Sequence, residues 1–218
     1  MKTKQVLIWT LILVIGVIVV GVALSSQFTD PMAVHWNAQG EADGYGSRFM
    51  GIWFLPLITI GLSLLLLGIP AIDPLRKNIE KFRKEYNLFI LLFVIFFAYL
   101  QVISLLYNLG WQFNLLALLT PAFGGFFYYI GVMSAKAKRN YFIGIRTPWT
   151  LAHEDVWNET HRVGAMGFKI SGVLTIFGAV VPNYAIWFMM VPLLLVAFGT
   201  VIYSYFVYRK LHPENNGS

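Results

Sequence analysis

Apolar residues are arranged in long blocks separated by short polar segments. A bilayer core needs about 20 mostly apolar residues per helix. Six stretches approach that length, at about Val6–Leu24, Phe49–Ile72, Leu88–Tyr107, Phe113–Ser134, Ala165–Val181 and Tyr184–Tyr208. The fifth is the shortest and holds Lys169 near its start. Within hydrocarbon the backbone must satisfy its own hydrogen bonds, so each stretch predicts a transmembrane helix. Two-residue alternation is absent, which argues against a β-barrel. The expected fold is all-α, a polytopic membrane protein with six transmembrane helices in one membrane domain. Three segments divide it: residues 1–72 form a helical hairpin with a polar loop at 25–48, residues 73–134 a central hairpin with a basic lead-in, and residues 135–218 a polar loop with the last two spans.

Composition sharpens this picture. Hydrophobic residues make up 58% and charged residues 12% of the 218-residue chain, against about 25% charged in a typical soluble domain. That leaves too little charge to cover a water-facing surface, so a soluble enzyme is excluded. Cysteine is absent, which excludes a disulfide scaffold, a thiolate metal site and a cysteine nucleophile.

The net charge of +6 is explained by its placement. Fifteen of the sixteen Lys and Arg residues fall before span one, between spans two and three, between four and five or at the start of five, and after six; Arg48 alone falls on the other side. The positive-inside rule then places both termini in the cytoplasm. The basic balance is a topology signal, and direct contact with nucleic acid is not expected. Lys2 and Lys4 before span one resemble the start of a signal peptide, yet Val6–Leu24 covers 19 residues, beyond the usual apolar region of about 7–15. Retention as an anchor is expected.

The spans lack a deep Asp, Glu, His or Arg. Such residues mark ion paths and proton relays, so proton-coupled transport and intramembrane proteolysis are disfavoured. Gln101, Ser104 and Asn108 share one face of span three by i, i+3, i+7 spacing. They bond neighbouring helices or form the polar wall of an outward-facing pocket. Pro56, Pro121 and Pro192 are expected to kink their helices, and Gly124-Gly125 to permit close packing. Leu75, Ile79, Phe82 and Tyr86 also share a face, predicting an extension of span three that lies at the inner leaflet or docks a partner.

Two polar segments are longer than a turn requires. The outer one contains His35, Trp36, Asn37 and Asp43 among Gly40, Gly44 and Gly46, a composition for a compact loop with Asx turns. One His with scattered carboxylates is a weak ligand set, so no metal is expected. The inner one runs from Asn140 through Gly144, Arg146, Thr147, Pro148 and Trp149 into a helix over Leu151–Val163, with Thr150 as its N-cap. His153, Trp157 and His161 lie on one face of that helix. His153 and His161 are separated by a rise of about 12 Å, too far to chelate one ion as a pair. Arg146, just before the helix, binds an anion or pairs with Glu154, Asp155 or Glu159.

The run Asn140-Tyr141-Phe142-Ile143-Gly144-Ile145-Arg146-Thr147-Pro148-Trp149-Thr150-Leu151, followed by Glu154-Asp155-Val156-Trp157-Asn158-Glu159-Thr160-His161-Arg162, resembles the signature of the SdpI family. These are small bacterial membrane proteins named for immunity to the sporulation-delaying peptide toxin. The outer run Pro31 to Ser47, with Val34-His35-Trp36-Asn37 and Asp43-Gly44-Tyr45-Gly46-Ser47, is similar to the uncharacterised domain that often heads such chains.

The resemblance implies protection from a secreted, membrane-active peptide toxin and capture of a cytoplasmic repressor. It supplies no catalytic residues and no cofactor, so no enzyme activity is expected. Toxin or ligand contacts are expected at His35, Trp36, Asn37, Asp43, Gln101 and Asn108. Partner contacts are expected at Asn140, Gly144, Arg146, Thr147, Pro148, Trp149, Trp157, His161 and Arg162. The rival class is a small-molecule or lipid transporter, which would need a central cavity lined by Gln101, Ser104 and Asn108.

Overall fold

The computed structural model describes residues 1–111 and 113–213. Among these, five helices are long and apolar enough to cross a membrane: α1 (Thr3–Ala23), α2 (Arg48–Ile72), α4 (Arg83–Asn108), α5 (Leu115–Ser134) and α8 (Ala185–Leu211) with the single turn before it. The chain is mostly helical and multi-pass. Leu7, Trp9, Leu64, Leu65, Leu195 and Phe198 are exposed along these helices, as expected for side chains facing lipid rather than water.

The expected fifth span is not a separate element. Glu154–Phe177 forms one helix, α7, which joins the predicted inner helix to that span without a break. The first part of α7 is too polar for a purely apolar span. Its last three turns expose Ile170, Val173, Ile176 and Phe177. The N-terminus also differs from the expectation. Thr147, not Thr150, caps the short helix α6 (Pro148–Ala152), accepting from the Thr150 amide, and His153 occupies the N-cap of α7. Pro148 at the first helical position explains this, because its fixed φ favours a helix start.

The Leu75–Tyr86 segment is another correction. It forms helix α3 (Arg76–Glu80) and then the start of α4, with a break at Lys81-Phe82. Ile79, Phe82 and Tyr86 are buried together with Val6, Ile69, Met133, Ile143 and Trp157 in the main apolar core. That face is therefore neither on the leaflet nor free for a partner. Glu80 pairs with Arg83 at 3.5 Å.

Pro56, Pro70, Pro121 and Pro192 all lie inside continuous helices. Pro70 lacks the N–H that would bond the carbonyl of Leu66. The Tyr86 hydroxyl donates to that carbonyl at 2.5 Å, so the proline's missing bond is replaced by a contact between α2 and α4.

Helices α5 and α7 run against each other with backbones nearly touching. A Cβ on Gly124 would lie 2.5 Å from the Gly172 carbonyl oxygen, one on Gly172 2.5 Å from the Gly124 oxygen, and one on Gly131 2.6 Å from the Ala165 oxygen. Small residues at membrane helix interfaces allow this approach and its dispersion gain. Gly125 has open space around it, so only the first glycine of that pair serves the contact.

Candidate functional site

Polar structure is concentrated at the two ends of the helices. At one end, the segment between α1 and α2 departs from the all-α expectation. It forms an antiparallel hairpin of β1 (Met32–Trp36) and β2 (Ala42–Gly46). Asn37 makes the turn. Its side-chain oxygen accepts from the amides of Gln39 at 2.9 Å and Glu41 at 3.0 Å, and Gly40 takes φ 81°. Met32 packs with Phe28, Ile52 and Leu105, seating the hairpin on α2 and α4.

Asn108 holds the hairpin to α4 through its amide. Its oxygen accepts from Ala33 N–H at 2.8 Å and its nitrogen donates to Ala33 carbonyl at 3.0 Å. Gln101, buried deeper in α4, donates to the Gly51 carbonyl at 3.0 Å. Two of the three polar side chains on this face of α4 are thus bonded to neighbouring elements, while the Gln101 Oε1 is buried without a hydrogen-bond partner among the described residues. What remains outward is narrower. His35 and Asp43 are exposed and joined across the strands at 2.6 Å, so Asp43 closes no Asx turn. Trp36 meets Tyr107 edge-on, with ring centroids 5.3 Å apart.

At the other end, the loop before α6 is organised around two buried polar side chains. Asn140 is fully buried. Its amide donates to the Lys138 and Ile143 carbonyls and its oxygen accepts from the Phe142 and Ile143 amides, at 2.6 to 2.9 Å. Asp73, at the end of α2, accepts from Leu75 N–H and Tyr141 N–H at 2.6 and 2.9 Å. These bonds satisfy backbone groups that would otherwise be stranded in the interior. Thr147 extends the network to α8 through Ser204, 3.0 Å away.

Trp157 and His161 form the inner wall. Trp157 is fully buried and donates its indole N–H to the Ala137 carbonyl at 3.0 Å. The two rings stack with centroids 4.0 Å apart. His161 Nε2 accepts from the Ile145 amide at 2.9 Å, and Nδ1 lies 2.9 Å from the Trp157 carbonyl. An amide can only donate and a carbonyl only accept, so the ring is the neutral Nδ1–H tautomer. Gly144 lies over this ring with φ 116°, and a Cβ there would collide with Nε2.

Burial lowers the His161 pKa from 6.5 to about 4, against the smaller opposing effect of the Trp157 carbonyl. A proton refused by the folded state and accepted by the unfolded one destabilises the fold. Stability contributed by neutral His161 should be complete above about pH 6.5 and be lost as pH falls toward about 4. The His161 ring resonances, followed by NMR in detergent micelles, should not move between pH 7.5 and about 5.5. A midpoint near pH 6.5 would refute the neutral, buried assignment.

The remaining residues of the inner group are more accessible. Arg146 is exposed and donates to the Tyr141 carbonyl at 2.9 Å, pairing with none of the three expected carboxylates. Pro148 is exposed, and Trp149 is half-buried against Tyr205. Arg162 is bound to Glu159 through two hydrogen bonds, at 2.6 and 3.0 Å. Arg162 and then Tyr203 hold the Glu159 carboxyl down at about 2. Beside Arg162, Lys138 and Lys169 line a groove of about 260 Å³ between the end of α5 and α7. In the sequence both lysines are legible only as topology signals. Their convergence depends on the α5–α7 crossing, and the role of Asp73 depends on the end of α2 packing against the loop that carries Tyr141.

A helical multi-pass membrane protein with a braced polar cap at each end is the class that these features define. Residues 136–204 match the SdpI/YfhL protein family, and residues 11–60 match a domain of unknown function, DUF1648. The chain is 25% identical over 192 residues to the immunity protein SdpI of Bacillus subtilis (strain 168), covering 88% of this chain and 90% of that one. The SdpI/YfhL match covers the loop that carries Asn140 and Arg146, and the DUF1648 match covers the β1–β2 hairpin. No solved structure matches the chain.

Proposed function

We propose that this chain protects its producer from a secreted, membrane-active peptide toxin, with the outer hairpin facing the toxin and both termini in the cytoplasm. The observation that supports the reading is the end-to-end similarity to an immunity protein, which spans the hairpin and the inner loop together. In this arrangement α7 is the sixth crossing. The His35–Asp43 pair offers an exposed polar contact beside Trp36 and Tyr107. On the inner side, Arg146 and the groove of Lys138, Arg162 and Lys169 suit an acidic surface, the chemistry we assign to a captured cytoplasmic repressor. Gln101 and Asn108 serve the hairpin and helix contacts, which favours this reading over a transporter with a cavity lined by those residues.

The test is survival of cells sensitive to the sporulation-delaying peptide when they express this chain. Wild-type chain should protect them. His35→Ala should weaken protection about tenfold at unchanged membrane level, for a lost contact worth roughly 1.4 kcal/mol. Undiminished protection by that variant would remove the hairpin from the site. Failure of the accumulated wild-type chain to protect would overturn the immunity reading. Arg146→Ala should leave protection intact and reduce co-purification of the repressor.

A further inference from the structure

Outside both caps' hydrogen-bond networks, a third cluster of polar side chains converges where α7 begins and α8 ends. His153, Asp155 and His212 each offer one ligand atom, and these atoms all lie within 4.8 Å of one another. His212 Nε2 is 3.0 Å from Asp155 Oδ2, and the His153 and His212 rings lie with centroids 4.0 Å apart.

The geometry points to a binding site for a divalent transition-metal cation of the zinc class, held by His153, Asp155 and His212. The donor set is two imidazoles and one carboxylate, which suits zinc and its neighbours rather than magnesium or calcium, whose ligands are oxygens. Tetrahedral zinc with bonds of about 2.1 Å separates its ligands by about 3.4 Å. The present spread therefore closes by small side-chain rotations. The backbones that carry the rings are already anchored: His153 N–H bonds to the Trp149 carbonyl and His212 N–H to the Tyr208 carbonyl. The Tyr208 ring packs against both imidazoles, at 5.3 and 5.6 Å, which limits their rotation.

Charges around the site act in both directions. The point of convergence lies at the C-terminal end of α8, where unpaired carbonyls attract positive charge. Asp155 supplies the formal negative charge, while the N-terminus of α7 and Lys210, on the neighbouring groove that Asp155 also lines, oppose a cation. With three protein ligands, a fourth position stays open to water or a partner's side chain. A bound ion would clamp the end of α8 to the start of α7.

The test uses the full chain, made without a polyhistidine tag and purified in detergent. Equilibrium dialysis against zinc chloride, read by elemental analysis, should give one tightly held zinc per chain. Cobalt(II) should bind with the intense visible bands of a tetrahedral site, and excess magnesium should not displace it. His153→Gln and His212→Gln should each weaken zinc binding about tenfold or more, while His35→Gln should leave it unchanged. Metal-free melting curves matching the wild type show that these variants fold. Wild-type binding no stronger than that of the His153→Gln/His212→Gln double variant, or equal displacement by magnesium, would overturn the site. None of these readouts depends on the immunity reading.

Discussion

Gly172→Leu should abolish accumulation of the folded chain, and Gly125→Leu should leave it unaffected. A Cβ at residue 172 meets the Gly124 carbonyl oxygen at 2.5 Å and the Tyr128 amide nitrogen at 2.7 Å. Both obstacles are backbone, so a rotamer change cannot relieve the clash. Overpacking with movable side chains costs roughly 1–3 kcal/mol, and separating two helices costs more because the whole α5–α7 contact is lost. Gly125 lies on the same helix as Gly124, one residue along, and has nothing within 4 Å of its Cβ position. Fluorescence-detected size exclusion of a tagged chain distinguishes the pair. Equal, monodisperse peaks would show that α5 and α7 do not approach in this way.

Trp157→Ala should lower the melting temperature by roughly 10 °C, for a loss of about 3–5 kcal/mol. Three contributions combine. A fully buried indole leaves a cavity among Ile79, Phe82, Tyr86 and Ile143. The Ala137 carbonyl loses its donor. His161 loses the ring stacked on it, opening a neutral imidazole to water. Trp157→Phe keeps the ring but removes the donor, and should cost about 1–3 kcal/mol. A Trp157→Ala chain that melts within about 2 °C of the wild type would show that the inner loop is not braced through this residue.

Both effects arise from residues whose neighbours are remote in the chain. In the sequence, Trp157 and His161 read as one face of a helix and as partner contacts. In the structure that face is turned inward, and the same residues support the loop that carries Arg146. Asn140 is different: its four hydrogen bonds all stay within residues 138–143, as the turn signature of a short polar loop residue suggests, and only its complete burial depends on the packed structure. Gly144 could be read as a turn glycine. That it must also make room for His161 requires knowing where α7 passes.

Local pattern was sufficient wherever the solvent imposed a one-dimensional rule. Block length located five of the six expected spans within a few residues, because each helix must satisfy its backbone across the bilayer alone. The motif residues also located both polar caps. Pattern failed where an element mixed two environments. Half of α7 is polar and half apolar, so a hydropathy window divides a helix that is continuous from Glu154 to Phe177. It failed again at the outer loop, where Val34, Trp36 and Tyr45 do not alternate cleanly enough to announce a strand pair.

Lipid compatibility, the number of apolar blocks and the chemistry available at each end are properties of consecutive residues, and the order of amino acids suffices to specify them. The meeting of Gly124 with Gly172, of Asn108 with Ala33, and of His212 with an aspartate 57 residues earlier arises from the crossing of helices. Those contacts depend on distances of a few ångströms between segments far apart in the chain, where shape and hydrogen-bond geometry act and hydropathy carries no information.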